Sequence, residues 1–94
     1  MTMIKSFKHI GLKKFFETRS TAGIDPKQAK KISVRLSVLN LAKEIKDIDL
    51  PGFFLHPLTG ERKGQWSITV TGNWRITFEL SNGDVYIVNY EDYH

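Results

Sequence analysis

The final third of the chain alternates between apolar and polar residues across three successive segments. The first segment places Trp66, Ile68 and Val70 on one side and hydroxyl residues on the other, and the second repeats the pattern from Trp74 to Leu80. A period of two over such a length is typical of β-strands with one buried face. The pattern therefore predicts antiparallel strands whose apolar faces, both tryptophans included, turn toward a hydrophobic core.

Two short turns separate these segments. Gly72 and Asn73 stand between the first two, and Asn82 and Gly83 stand between the second and the third. Asn-Gly is the strongest short hairpin signal, because both central residues of a type I′ turn need positive φ. We therefore predict two tight β-hairpins.

The third segment has apolar side chains on both faces. One face would carry Val85 and Ile87, and the other would carry Tyr86, Val88 and Tyr90. A strand that is apolar on both faces is typical of the middle of a sheet. We expect this strand to lie centrally and to hold the polar last four residues of the chain at the edge of the sheet.

The first half of the chain predicts one short strand and two helices. Residues 3–7 alternate in part and predict a strand that adds to the sheet, and residues 11–17 carry an apolar stripe with helical spacing. Asp25 and Pro26 then begin a second helix, since Asp can cap a helix and Pro suits the first turn. Gln28 stands where a capping-box partner belongs.

The second helix has apolar residues on two sides. One stripe consists of Ala29, Ile32, Leu36 and Leu39, and the other consists of Val34, Val38, Leu41 and Ile45. We expect the sheet to cover one stripe and the first helix, or a protein partner, to cover the other. The predicted fold is a single α+β domain of residues 1–94, with a two-helix hairpin on one face of a twisted, mainly antiparallel sheet.

Positive charge is concentrated in the first half of the chain. Residues 1–46 hold eleven Lys and Arg against three acidic residues, a balance of +8, whereas residues 47–94 hold three against seven, a balance of −4. A basic half fits a polyanionic partner such as RNA, although a solvated helical surface explains the same lysines equally well. The chain has no cysteine, no apolar run that could cross a bilayer and no signal-peptide pattern, so we expect a cytoplasmic protein without disulfides.

The uncovered face of the sheet is where we expect chemistry. It should carry Arg75, with His56 at its rim and Asp92, Tyr93 and His94 at the end of the last strand. Such a set can cut RNA without a metal or cofactor: a base removes the ribose 2′-proton, an acid protonates the leaving 5′-oxygen, and a cation stabilises the negative charge on phosphorus. The two histidines lack the spacing and the third ligand of a zinc site.

Each of these residues also has a purely structural alternative. A terminal histidine is commonly exposed without a function, and His56 could bond its own backbone. Arg75 could belong to a cross-strand ion pair. His9, just before the first helix, is assigned to structure or to no role.

Three segments together resemble the HigB branch of the RelE-type toxins of bacterial toxin–antitoxin systems. They are residues 56–80 (HPLTGERKGQWSITVTGNWRITFEL), the final NYEDYH and the opening MIKSFKHIGLKKFFE, so the resemblance covers essentially the whole chain. It implies the small microbial-ribonuclease fold and an endoribonuclease that cleaves mRNA in the A site of the 70S ribosome. It also implies a helix-turn-helix antitoxin of the HigA type as a partner.

The resemblance also assigns site residues. The catalytic set is His56, Arg75, Asp92, Tyr93 and His94. In this scheme His94 is the leading acid or base and His56 is its partner or a phosphate ligand. RNA contacts are expected from Arg62, Lys63 and Asn73 near the open face, and from the basic half at Lys13, Lys14, Lys27, Lys30 and Lys31.

This chain departs from the family pattern at two places. Ser67 and Thr69 stand where many RelE relatives carry an arginine on the first long strand, and Thr59 stands where some HigB proteins have a lysine. Both changes remove positive charge and should increase the dependence on the ribosome for positioning. The competing hypothesis is a non-catalytic basic module that binds rRNA and blocks translation by occupancy.

Overall fold

The computed structural model describes residues 4–92 of the chain. Two α-helices are followed by four β-strands, with three short 3₁₀ turns between them. The helices are α1 (Ile10–Thr18) and α2 (Ala29–Leu41), and the strands are β1 (His56–Pro57), β2 (Gln65–Thr71), β3 (Trp74–Ser81) and β4 (Asp84–Asp92). The 3₁₀ turns span Pro26–Gln28, Ile45–Ile48 and Gly60–Arg62. The predicted α+β class is confirmed.

The four strands form one antiparallel sheet in the order β1-β2-β3-β4. The predicted N-terminal strand is not continuous, since Ile4 and Phe7 instead make isolated parallel bridges to Val85 and Val88. The amides of Lys5 and Lys8 donate hydrogen bonds to the backbone carbonyls of Val85 and Val88, so the N-terminal segment covers the outer edge of β4. The last strand is therefore flanked on both sides, as expected for a central strand.

One face of the sheet packs against the helices. Its core residues are Ile68, Val70, Ile76, Phe78, Val85, Val88 and Tyr90, and the helices contribute Leu12, Phe15, Ile32, Leu36 and Leu39. Asn82 and Gly83 have φ of 51° and 82°, which confirms the type I′ geometry expected for the second hairpin. In the first hairpin Gly72, with φ of 55°, takes positive φ and Asn73 does not.

A β-bulge corrects the predicted faces of β4. Thr77 pairs with Asn89 but Glu79 pairs with Tyr86, so β4 contains one more residue than β3 at this point. Ile87 lies in the bulge with φ of 49°. Because the extra residue shifts the alternation, Val88 is buried on the same face as Val85, and our assignment of these two residues to opposite faces was wrong.

The second apolar stripe of α2 is not covered by α1. Val34 and Leu41 are 50% and 73% exposed, and α2 ends at Leu41, so Ile45 lies outside the helix in a 3₁₀ turn. The prediction that the helix reaches Ile45 was wrong, and of the two alternatives for covering the second stripe, the structure does not support the first helix. A helix need only bury one stripe to be stable.

The start of the second helical segment is partly as predicted. The side chain of Asp25 accepts a hydrogen bond from the amide of Lys27, which confirms it as the cap of the Pro26–Gln28 turn. Gln28 does not act as a capping-box partner. Its side chain is buried, where its carbonyl accepts a 2.6 Å hydrogen bond from the hydroxyl of Tyr90. None of the described helices is long and apolar enough to span a membrane.

Candidate active site

Cross-strand register defines rows of polar residues on the face of the sheet that the helices do not cover. The middle of this face is not open as expected, because Ser67 and Thr77 are fully buried there and Arg62 donates to the Thr77 hydroxyl. His56 lies opposite Ser67, Ser67 opposite Thr77, and Thr77 opposite Asn89. Residues directly opposite one another in an antiparallel pair point to the same face. His56 therefore belongs to the uncovered face, as expected, although β1 places it at the edge of the sheet.

The next row contains a carboxylate between two guanidinium groups, which we call the two-arginine cluster (Arg62, Arg75 and Glu91). Glu91 Oε1 accepts from Arg62 Nη1 at 2.7 Å, from Arg75 Nη2 at 2.8 Å and from Arg75 Nε at 3.0 Å. Its other oxygen accepts from the amide of Asn89 at 3.0 Å. Arg62 also donates to the hydroxyl of Thr77 at 3.1 Å. The cluster holds two positive charges against one negative charge.

The ionisation of Glu91 follows from these contacts. Burial by itself would raise the pKa of the Glu91 carboxyl. Hydrogen bonds from Arg62 and Arg75, together with their charges, outweigh burial and hold this pKa below its ordinary value. Glu91 is therefore an anion at neutral pH.

Arg75 lies on the uncovered face, where the sequence placed it, but its guanidinium is already engaged. Its side chain is 14% exposed and pairs with Glu91, the residue directly opposite. The cross-strand ion pair that we considered as the structural alternative is thus present. Arg62, with a side chain 35% exposed, is the more accessible cation of the cluster.

His56 is exposed, and its Nδ1 lies 3.0 Å from the carbonyl oxygen of Phe54. A carbonyl only accepts hydrogen bonds, so the neutral ring carries its proton on Nδ1 and leaves Nε2 as the basic nitrogen. The backbone bond that we considered as a structural alternative is therefore present.

Asp92 is exposed at the end of β4, but not in the expected row. It pairs with Trp74, whose ring stacks on Tyr90 at 4.6 Å on the helix side of the sheet. Alternation therefore places the Asp92 position on the opposite side of the sheet from Glu91, which corrects our expectation that it shares the open face. At about 4.8 Å per strand, three strand spacings, roughly 14 Å, separate the backbones of β1 and β4. Tyr93 and His94 lie outside the described residues.

The predicted RNA contacts fall on separate surfaces. Lys63 is exposed beside the Gly60–Arg62 turn and lines a pocket of about 550 Å³, whereas Asn73 is exposed at the far end of β2, roughly 20 Å away along the strand. The side chains of Lys13, Lys14, Lys27, Lys30 and Lys31 are exposed on the helical segments. The basic helices thus cover the sheet face that lies opposite the two-arginine cluster.

Two residues of the site were not assigned a role from the sequence. Glu91 was noted only as part of the polar tail, and Ser67 only as a departure from the family pattern. Ser67 is completely buried, and its hydroxyl has no hydrogen-bond partner among the described residues. Strand alternation predicted the face of Ser67 but did not place Glu91, and no local signal showed that Arg62 would reach Glu91 from a loop 29 residues away.

His9 has the structural role that we assigned to it. Its Nδ1 accepts a hydrogen bond from the amide of Leu12 at 3.0 Å and caps α1. Its ring also meets the edge of Tyr90 at 5.6 Å. Among residues 4–92, no group of three His, Cys, Asp or Glu side chains is arranged to hold a metal ion.

Comparison with known proteins identifies the chain. A model of the HigB-like toxins, described as the RelE-like toxin of the type II toxin–antitoxin system HigB, matches residues 5–94. A curated relative from Proteus vulgaris, "Endoribonuclease HigB", is 53% identical over 92 residues, which is 98% of this chain and 100% of the relative. The fold and the sequence thus define a RelE-like toxin of a type II toxin–antitoxin system. Within that class, the chain belongs to the HigB-like toxin family, and the resemblance noted from its sequence is confirmed.

Proposed function

We propose that this toxin is an endoribonuclease that cleaves mRNA in the ribosomal A site and thereby stops translation. The observation that carries the proposal is the 53% identity, over the full length of the relative, to a protein named as an endoribonuclease. Support also comes from the uncovered sheet face, where His56 shares a surface with a cluster of net positive charge.

The proposed reaction is transesterification at a phosphodiester. The ribose 2′-oxygen forms a bond to phosphorus while a histidine base takes its proton, and the bond from phosphorus to the 5′-oxygen breaks. A second acid gives a proton to the departing 5′-oxygen. The products are a 2′,3′-cyclic phosphate on the upstream fragment and a 5′-hydroxyl on the downstream fragment.

The residues divide this work between them. Nε2 of His56 is the basic nitrogen that its contact with the Phe54 carbonyl leaves available. Arginine stabilises the charge on the phosphate oxygens, because its planar fork donates two hydrogen bonds. His94 serves as the leading acid or base, and Tyr93 contacts the nucleotide. Asp92, whose position lies on the other side of the sheet from Glu91, is given no contact with the nucleotide.

Positioning is left to the ribosome in this proposal. The backbones of β1 and β4 lie roughly 14 Å apart, so a substrate held between His56 and the end of β4 would bridge the two. Holding reactants in a productive geometry can contribute about 7–11 kcal/mol to a reaction. The 70S ribosome and mRNA are therefore the proposed targets, and a helix-turn-helix antitoxin of the HigA type is the proposed inhibitor.

Primer extension on mRNA, with and without ribosomes, tests this proposal. We expect the chain to produce new 5′ ends only when ribosomes are present, and His94→Ala to abolish these ends while still binding the ribosome. His9→Asn is the matched control, since it also removes an imidazole but keeps a residue that can cap α1.

The outcomes separate catalysis from occupancy. Cleavage that is unchanged in His94→Ala ends the catalytic assignment. Inhibition of translation by the chain without any cleavage would favour the non-catalytic basic module. Charge reversal of the five exposed lysines on the helical segments should weaken ribosome association if that surface binds rRNA, with a shallower dependence on salt.

A further inference from the structure

Glu91 has no assigned role in RNA cleavage, yet its carboxylate is the centre of the two-arginine cluster. Oxygen Oε1 accepts three N–H groups from Arg62 and Arg75, and Oε2 accepts one from Asn89. A phosphate group could occupy the same place between the two guanidinium groups, because arginine binds carboxylate and phosphate oxygens with the same hydrogen-bond geometry.

The two arginines are held to different degrees. Arg75 stands on β3 directly opposite Glu91 and is 14% exposed, so the sheet itself fixes it. Arg62 belongs to the Gly60–Arg62 turn, reaches across the sheet to Thr77 and Glu91, and is 35% exposed. Of the two, Arg62 is therefore the one whose guanidinium can exchange partners without breaking a strand.

A second observation points to a ligand at the same place. Ser67 lies opposite Thr77, the residue on which the Arg62 guanidinium rests. Its hydroxyl is fully buried and has no partner within the described part of the chain. Leaving a buried hydroxyl unpaired costs about 1–3 kcal/mol, and an oxygen atom of a bound ligand would remove that cost.

We propose that Glu91 is a positioning residue that holds Arg62 and Arg75 for the RNA backbone, and that an RNA phosphate replaces it as the partner of Arg62. This inference rests on the proposed function. The cluster carries one net positive charge, which attracts a phosphate, and the exchange replaces one charge-assisted pair with another. Movement of Arg62 away from Thr77 opens the row that contains Ser67 to a ribose or phosphate oxygen.

Two variants with matched controls test the inference in single-turnover cleavage of mRNA on programmed ribosomes. Arg62→Gln is compared with Lys46→Gln, which removes the same charge from an exposed lysine that pairs with Glu44. We expect Arg62→Gln to raise the half-saturating toxin concentration by about tenfold or more and to lower its salt slope by about 1. The control should change neither.

Glu91→Gln is compared with Glu79→Gln, which removes the same negative charge. Glu79 lies on β3, two positions after Thr77 and on the same face of the sheet. We expect Glu91→Gln to reduce the saturating rate constant by about tenfold without weakening half-saturation, because the arginines lose their orientation and no positive charge is lost. A residue important only for folding would instead lower the thermal midpoint and the reaction amplitude, and leave the rate constant unchanged.

Each result decides one question. If the unaltered chain fails to cut mRNA on ribosomes, the proposed function is wrong. If the unaltered chain does cut, either of two results overturns this inference. One is that Arg62→Gln behaves like Lys46→Gln, and the other is that a folded Glu91→Gln behaves like Glu79→Gln. Should Glu91→Gln not fold, the Arg62 comparison still decides whether Arg62 contacts the RNA.

Discussion

Removing the hydroxyl of Tyr90 should destabilise the toxin more than removing that of any comparable tyrosine in the described chain. Tyr90 is 5% exposed and donates a 2.6 Å hydrogen bond to Gln28, which is itself 6% exposed. Tyr90→Phe leaves the Gln28 carbonyl buried without this donor, at a cost of about 1–3 kcal/mol in the free energy of unfolding. For a domain of this size each 1 kcal/mol lowers the thermal midpoint by about 4–8 °C.

The matched control is Tyr86→Phe, on the same strand but half-buried. Its hydroxyl makes no hydrogen bond with any described residue, so the expected change is about 0.5 kcal/mol or less. Urea denaturation of both variants at neutral pH measures the difference. If Tyr90→Phe matches Tyr86→Phe, the bond between the helical layer and β4 does not contribute to stability. A second change, Gln28→Met in the Tyr90→Phe background, should recover part of the loss, because the buried carbonyl is then gone, although the 3.4 Å hydrogen bond that the Gln28 amide donates to Asp25 is lost with it.

Three further perturbations test the packing and the charge network. Burial lowers the pKa of His9 from 6.5, so the contribution of the neutral ring to stability is complete above that pH and is lost as the pH falls through the lower folded-state pKa. As the pH is lowered, the thermal midpoint of His9→Asn should therefore fall less than that of the unaltered chain. Burial raises the pKa of the Glu91 carboxyl, but its hydrogen bonds to the two arginines lower this pKa overall from 4.5. The folded protein should therefore lose stability as the pH falls below about 4.5, which circular dichroism can follow. Glu91→Gln should not show this loss, because it has no carboxylate to protonate. A methyl group at Gly11 would lie 2.5 Å from the carbonyl oxygen of Gly23, so Gly11→Ala should lower the free energy of unfolding, measured by urea denaturation, by about 1–3 kcal/mol. If Gly11→Ala is as stable as the unaltered chain, the two backbones are not in tight contact here.

The strands and the second hairpin could be predicted because alternation and turn chemistry are local signals. Trp66, Trp74 and their neighbours follow a period of two, and Asn82–Gly83 takes the turn geometry that its residues favour. The bulge at Ile87 could not be predicted in the same way. A β-branched residue at φ of 49° is intrinsically unfavourable, and the pairing of β3, β4 and the N-terminal segment imposes it.

The candidate site was predictable in composition but not in its pairing. Alternation placed Arg75 on the uncovered face, and the structure confirms that position. The convergence of Arg62 on Glu91 depends on how the Gly60–Arg62 turn folds back over the sheet, which is a long-range feature. Asp92 was assigned to the open face because it belongs to the tail, whereas strand alternation places its position on the side of Trp74.

The family and the toxin class could be identified from the sequence, and the comparisons confirm both. A toxin of a type II system acts with an antitoxin, and the exposed stripe residues Val34 and Leu41 on α2 remain available to a protein partner. The division of acid and base between His56 and His94, the ribosome dependence and the A-site position remain predictions.

The most direct test of the central claim is the chemistry of the cut ends. Ribosomes programmed with a defined mRNA are incubated with the toxin, and the 3′ end of the upstream fragment is analysed by mass spectrometry. Attack by the 2′-hydroxyl predicts a 2′,3′-cyclic phosphate at a cut within the A-site codon, and no product from an mRNA carrying 2′-deoxyribose at that position. An intact mRNA, or efficient cleavage of the 2′-deoxy substrate, would contradict the account.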